Sequence, residues 1–295
     1  MSPRFGSGKN PGMLRTATRW SLYFAAALAV GPLAGWLVAS IPAEDGGADA
    51  TGLVSAAPVV GLAKCAAAVA IATVMGIVAA KFCGGRPGMT SAGLVMCWGA
   101  WSSGRSEMIL RRAGSADPLW WMALETGVLG LLMLAGIKLI LEAGRPRAHD
   151  PSDSEPLRFS GRAASAFGAA LLSALICTWL FAQSDRHGQT FGAAAAAGLF
   201  GTLAGRMVAP RMPLMVFASA GVAAGVVSLL VAALTAGPDF LEMLYAGQLL
   251  PLGRPVPLDW LAGVLIGVPL GAAWAGSMIE RHAHDERLAV TPGAG

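Results

Sequence analysis

The chain has 295 residues, 55% hydrophobic and 13% charged, with mean hydropathy +0.60 and net charge +4. Soluble domains carry about 25% charged residues, so the charged surface a soluble fold of this length needs is missing and lipid must cover much of the apolar area. The basic residues sit in short clusters between apolar runs, without interleaved aromatics, which argues against a nucleic-acid partner and fits bases that orient a chain in a bilayer.

A crossing helix needs about 20 apolar residues. The tail 1–19 is basic (Arg4, Lys9, Arg15, Arg19), and the first run follows at 20–41. That run is longer than the roughly 7–15 residues of a signal-peptide core, and no clean A-x-A site follows it, so it reads as a retained helix. Runs at 58–80, 88–104 and 118–141 complete a first group. The weakest is 88–104, short and carrying Thr90, Ser91, Ser102 and Ser103; it either spans or dips in and returns. A polar linker, 143–162, leads to four more runs at 163–183, 190–209, 213–236 and 258–279, and a charged tail, 281–295, closes the chain. The expectation is an all-α polytopic membrane protein of about eight transmembrane helices.

With a cytoplasmic N-terminus and eight crossings, 14 Lys and Arg fall on the cytoplasmic side and 5 outside. Both termini and the linker are then cytoplasmic. The exception is one outer connection holding Arg105, Arg111 and Arg112; the preceding outer loop holds Glu44, Asp45 and Asp49 and no base.

The two groups match collinearly. Phe24 to Leu28 and Trp36 to Ala39 resemble Phe167 to Leu171 and Trp179 to Ala182. Lys81 and Arg86 match Arg206 and Arg211, Ser91-Ala92-Gly93 matches Ser219-Ala220-Gly221, and Glu107-Met108 matches Glu242-Met243. Pro118-Leu119-Trp120-Trp121 matches Pro257-Leu258-Asp259-Trp260. The expectation is two tandem four-helix repeats, 20–142 and 163–280, of one orientation about an axis along the membrane normal.

Small residues recur four apart at Gly31/Gly35, Gly201/Gly205, Gly221/Gly225 and Gly263/Gly267/Gly271, the spacing that lets helix backbones approach in lipid. Pro32 and Pro269 should kink or loosen their helices. Trp20, Trp36, Trp120, Trp121, Trp179 and Trp260 lie near run ends, as interfacial anchors do. Cys65, Cys83, Cys97 and Cys177 form no C-x-x-C pair and read as small apolar residues.

No HExxH, GxSxG or P-loop is present, and nothing calls for a cofactor or a metal. His282 and His284 sit in the charged tail, and His149 and His187 are lone loop residues. The informative groups are charges at bilayer depth. Lys64 and Glu125 each lie about 10 Å along a helix from the outer face, and either pair with one another or go to the interface and to water separately. Glu107 and Glu242 occupy matching positions, either solvated or forming a symmetric pair near the axis. These four are the pathway candidates for a permease- or channel-like transporter. The alternative is a non-catalytic membrane subunit or scaffold, with an enzyme third. The expected partners are the lipid bilayer and other membrane proteins or a second copy.

Overall fold

The structure, a computed structural model, describes residues 11–147 and 160–290, without the side chains of 11–13, 15, 280 and 282–290. Arg4, Lys9, His149 and Arg158 lie outside the described residues, as do the side chains of Arg15, His282, His284 and Arg287. What is described is all helical: α1 (Pro11–Ala25), a π-helical turn (Ala26–Val30), α2 (Gly31–Ala39), α3 (Pro58–Cys83), α4 (Gly85–Ser102), α5 (Ser106–Ala113) and α6 (Asp117–Gly144). After the linker come α7 (Gly161–Phe181), α8 (His187–Val208), α9 (Leu214–Leu234), α10 (Phe240–Tyr245) and α11 (Pro257–Val290). Proline opens α3, α6 and α11 within the first turn, where its missing N–H costs nothing.

Among the described residues, seven helices are long and apolar enough to cross a membrane: Thr16–Ala39, Pro58–Cys83, Asp117–Arg147, Gly161–Phe181, His187–Val208, Leu214–Leu234 and Pro257–Ile279. The protein is therefore a polytopic helical membrane protein. The 18-residue α4 is not among the seven, because Arg86, Thr90, Ser91, Ser102 and its glycines lower its hydropathy. It nevertheless joins the two ends of the bundle. At its start, Gly84 takes φ of +99°, which glycine adopts readily, and a Cβ there would meet the Arg147 carbonyl oxygen beyond α6. At its finish, the Gly104 N–H donates to the Ala50 carbonyl in the α2–α3 loop, 2.8 Å away. The end holding the loops 40–57, 103–116, 182–186 and 235–256 is the upper end below; the Gly84 end is the lower.

The first crossing is interrupted for a local reason. The Gly31 N–H reaches back five residues to the Ala26 carbonyl, forming the π turn. In that register the Ala27 carbonyl would take its bond from residue 32, which is Pro32 and has no N–H. The indole Nε1–H of Trp98, on α4, donates to the Ala27 oxygen at 2.6 Å instead. Its ring occupies the space a Cβ on Gly31 would fill, and Gly35 packs against Trp98 and Ser102.

The same order of elements, three long helices, a short one and a long one, occurs before and after the linker. Within each group the first helix packs on the second and third, and the last packs on the second and third. Between the groups, α4 packs on α11, α6 packs on α9, α6 meets α11 and α5 meets α10. The seam between groups is apolar and closely fitted: Val222 lies where a Cβ on Gly130 would go, and Ile266 where one on Gly93 would go, 2.5 Å from it.

Glycines carry the close approaches. Cβ atoms on Gly263, Gly267 and Gly271 would run into the α8 backbone at Ala194, Ala195 and Leu199. One on Gly201 would sit 2.8 Å from the Ala170 oxygen, and one on Gly205 2.9 Å from the Ala166 oxygen, both on α7. Gly221 receives Val264 and Gly225 receives the Trp260 ring. Trp20, Trp36, Trp120, Trp121 and Trp179 are exposed on the helix surfaces, but Trp260 is 1% exposed and is core rather than an interfacial anchor. Val256, Leu258, Asp259 and Trp260 are each at most 2% exposed, so α11 begins inside the protein and not at its edge.

Candidate functional site

The upper end is knitted by ion pairs. The short helix α5 at this end is strongly amphipathic, burying Ile109 and Leu110 and turning its arginines to the loops around it. Arg112 Nε is 2.8 Å from Asp45 Oδ2 and its Nη1 donates to the Asp49 carbonyl at 2.6 Å; Arg105 Nε lies 3.5 Å from Asp49 Oδ1. The Gly47 N–H and the Arg112 guanidinium hold the Asp45 carboxyl below the usual carboxylate range. The three bases that stood against the orientation rule are thus answered by acids of the neighbouring loop and by Glu107.

Glu107 is the centre of this network. It is 9% exposed, and its Oε1 lies 3.4 Å from Nε of Arg254, itself 5% exposed and belonging to the second group. Its Oε2 lies 3.4 Å from Arg111 Nη2, one turn on. Arg254 also donates to the carbonyls of Ala182 at 3.1 Å and Gly247 at 3.0 Å. Arg111 donates to the Leu244 carbonyl and sits over the Tyr245 ring, 5.4 Å from its centroid. Burial raises the Glu107 carboxyl above its ordinary value, Asp185 adds to this, and Arg254, Arg111 and Arg105 oppose it. Glu242 does not join: it is exposed on α10, and no ion pair to it is made among the described residues. The symmetric pair expected of Glu107 and Glu242 is not formed.

Glu125 is fully buried, but not against Lys64. Its carboxylate oxygens accept the backbone N–H groups of Gly52 at 2.9 Å and Leu53 at 2.8 Å, pinning the α2–α3 loop onto α6. Thr51 and Cys65 lie beside it. Lys64 Nζ donates instead to the Ser40 carbonyl at 2.8 Å and to Ser40 Oγ at 2.9 Å, a cation at the C-terminal end of α2. The expected ion pair is replaced by two separate anchors, because the loop 40–57 folds between the groups the pair would have joined.

Sequence reasoning missed a second buried carboxylate. Asp259 is 1% exposed, in the first turn of α11, and accepts the Val256 N–H at 3.1 Å, the third helical residue reaching back to the cap as in a capping box. Thr190 at the start of α8 lies beside it, and its Oδ1 makes no hydrogen bond. The signal was present as Pro257-x-Asp259 opening an apolar run. In each group, then, the last long helix carries a buried carboxylate facing the upper end of that group's second helix. Among the described residues neither has a cationic partner, and no set of three or more His, Cys, Asp or Glu could hold a metal ion.

At the lower end a cleft of about 300 Å³ opens between the groups. Arg19 and Tyr23 of α1, the 84–90 segment with Arg86 and Thr90, and Leu141 to Arg147 line it from the first group; Pro269, Leu270 and Ala273 of α11 line it from the second. Pro269 is about 18 Å along α11 from Pro257 at 1.5 Å per residue, so the cleft reaches well into the helical layer. A cleft of about 470 Å³ at the upper end, between Glu44, Val54, Arg112 and Trp121, lies wholly within the first group. Lys138 and Glu142 are exposed at the lower part of α6. No protein-family model, curated protein or solved structure matches the chain.

Proposed function

We propose that the chain is an internally duplicated membrane protein of eight crossings, with both termini cytoplasmic, that moves a solute by rocking its two halves about the shared seam. In this reading the repeats are 20–142 and 163–280, α4 is the eighth crossing, and the upper end faces outward. The recurring element order and the reciprocal pairing of α4 with α11 and α6 with α9 support the duplication. The observation that carries the transport reading is the unlikeness of the two ends of the seam. At the outer end Glu107 and Arg254 close it with a buried cross-half pair; at the inner end it parts into a cleft. A static bundle needs no such difference, whereas a carrier resting open to the cytoplasm does. Pro269, inside α11 beside the cleft, leaves one carbonyl of that helix without its usual donor and gives the rocking a place to bend.

The close apolar packing of the seam at Gly130, Gly93 and Gly225 favours a second reading, a non-catalytic membrane subunit or scaffold. Thiol labelling separates the two. With Cys65, Cys83, Cys97 and Cys177 replaced by alanine, Thr90→Cys reports the inner cleft and Ser106→Cys the outer end. Adding Glu107→Gln should raise labelling of Ser106→Cys by an impermeant reagent outside and lower that of Thr90→Cys from inside. A rise outside with no change inside would mean local loosening of a static bundle, and the scaffold reading would stand.

A further inference from the structure

We infer that the lower cleft between α1, the α3–α4 turn, the end of α6 and α11 is a binding site for a phosphate-type anion, held by Arg19 and Arg147 with Arg86, Tyr23 and Thr90. The site is built from elements far apart in sequence, which a basic membrane flank does not require. Arg19 comes from α1, Arg147 from the 3-10 turn after α6, and Arg86 from the first turn of α4, and all three line one cleft with no Asp or Glu in its described lining. Arg147 stands against the α3–α4 turn, where a Cβ on Gly84 would meet its carbonyl oxygen at 3.0 Å and its own Cβ at 3.8 Å, and Arg19 lines the same cleft from α1. Tyr23 and Thr90 line the same cleft: the Tyr23 hydroxyl offers a neutral donor, and Thr90 Oγ1 donates to the Arg86 carbonyl at 3.2 Å, steadying the first turn of α4. A Cβ on Gly85 would meet Leu141 Cδ2 at 2.8 Å, and one on Gly144 would collide with the Gly85 backbone, so the wall is closely packed.

Guanidinium groups match phosphate oxygens in geometry and charge. A volume of about 300 Å³ is at the lower end of small-ligand sites, large enough for a phosphate with a short polar substituent. The floor of Leu141, Pro269, Leu270 and Ala273 is apolar, and Leu270 is 47% exposed at the helix surface, so the cleft is also open sideways. That shape admits two sources of the same chemistry: a free phosphate compound from the aqueous side, or the headgroup of an anionic lipid entering from the bilayer. The inference takes from the transport reading only the cytoplasmic side of the cleft, and concerns binding, not movement.

The test uses the full chain, purified in detergent and depleted of lipid. One arm titrates inorganic phosphate; the other places the protein in nanodiscs of phosphatidylcholine with or without phosphatidylglycerol. The thermal midpoint of unfolding should rise with at least one probe. Arg19→Gln and Arg147→Gln should each weaken the response about tenfold in apparent Kd, while Arg162→Gln and Arg211→Gln, bases outside the cleft, should leave it unchanged. A response to phosphate identifies a free anion; a response to phosphatidylglycerol alone identifies a lipid headgroup. Protection of Arg19 and Arg147 from phenylglyoxal, read by mass spectrometry on the unsubstituted protein, gives the same answer without a variant. Absence of both protection and a midpoint shift with either probe overturns the site. So does a loss in Arg162→Gln equal to that in the cleft variants, which marks general surface attraction.

Discussion

Replacing Glu125 tests the account of its anchor directly. Its two oxygens satisfy two backbone donors, the N–H groups of Gly52 and Leu53, in a place with no exposure. In Glu125→Gln one oxygen remains, and the amide nitrogen faces the other N–H donor to donor. One buried N–H is left without an acceptor, which costs about 1–3 kcal/mol. The neutral side chain is cheaper to bury than a carboxylate, so the net loss should lie toward the lower part of that range. Glu125→Ala orphans both donors, and its loss should be about 2–5 kcal/mol. Unfolding in detergent gives the totals, and hydrogen exchange at the Gly52 and Leu53 amides locates them. Lys64→Met should lose only the Ser40 contacts, and the Lys64–Glu125 double variant should be additive within about 0.5 kcal/mol. Full stability of Glu125→Gln with both amides still protected, or rescue of it by Lys64→Met, would refute the loop anchor.

Four further outcomes are expected. Trp98→Phe leaves the Ala27 carbonyl without a donor and should cost about 1–3 kcal/mol, visible as faster exchange around the π turn; equal stability would show that water reaches that carbonyl. Gly267→Ala puts a Cβ against the α8 backbone and should cost about 1–3 kcal/mol, whereas Gly276→Ala, with nothing within 4 Å of the added carbon, should be neutral in the same unfolding assay. Because burial raises the Glu107 pKa, the folded state holds that proton more tightly than the unfolded one. The group's stabilising contribution is then full below the ordinary carboxylate value near pH 4 and is lost as pH rises through the raised value; the stability of wild type relative to Glu107→Gln should fall along that interval, and a rise would reverse the assignment. Under the duplication, Ser115 is the counterpart of Arg254, so Ser115→Arg should give Glu242 a cross-half partner and slow outer-end labelling; unchanged labelling would argue against the equivalence.

The apolar runs were legible because crossing a bilayer demands length and hydropathy, which a single sequence displays. Glycine spacing was legible in its positions but not in its partners: that Gly225 receives Trp260, a tryptophan that reads as a surface anchor, depends on α7, α8 and α9 closing around the start of α11. Depth along a helix gave Lys64 and Glu125 similar heights, yet height says nothing about a loop entering between them, and backbone donors carry no sequence signature. Glu107 and Glu242 head similar tetrapeptides and differ because of a third residue, Arg254, in a distant connection. The three arginines of 105–112 were readable as neutralised, since the adjacent outer loop holds acids and no base. Asp259 could have been found as an acid three positions into a proline-led helix.

The bond from Trp98 to the Ala27 carbonyl spans 71 residues of chain, and this imposes an order on biogenesis. At about 5–20 residues per second of synthesis, the first hydrophobic segment waits roughly 4–14 s before the residue that completes its backbone exists. During that interval a bare carbonyl faces whatever surrounds the nascent chain. The segment therefore has reason to linger at the translocation machinery or in the interfacial region, where water or protein can serve as donor, instead of partitioning fully into lipid. Nascent chains stalled shortly before Trp98 should yield weakly integrated first segments, and chains stalled well after it firmly integrated ones, with Trp98→Phe removing the difference. Membrane insertion of the first crossing would then be a late event, licensed by α4.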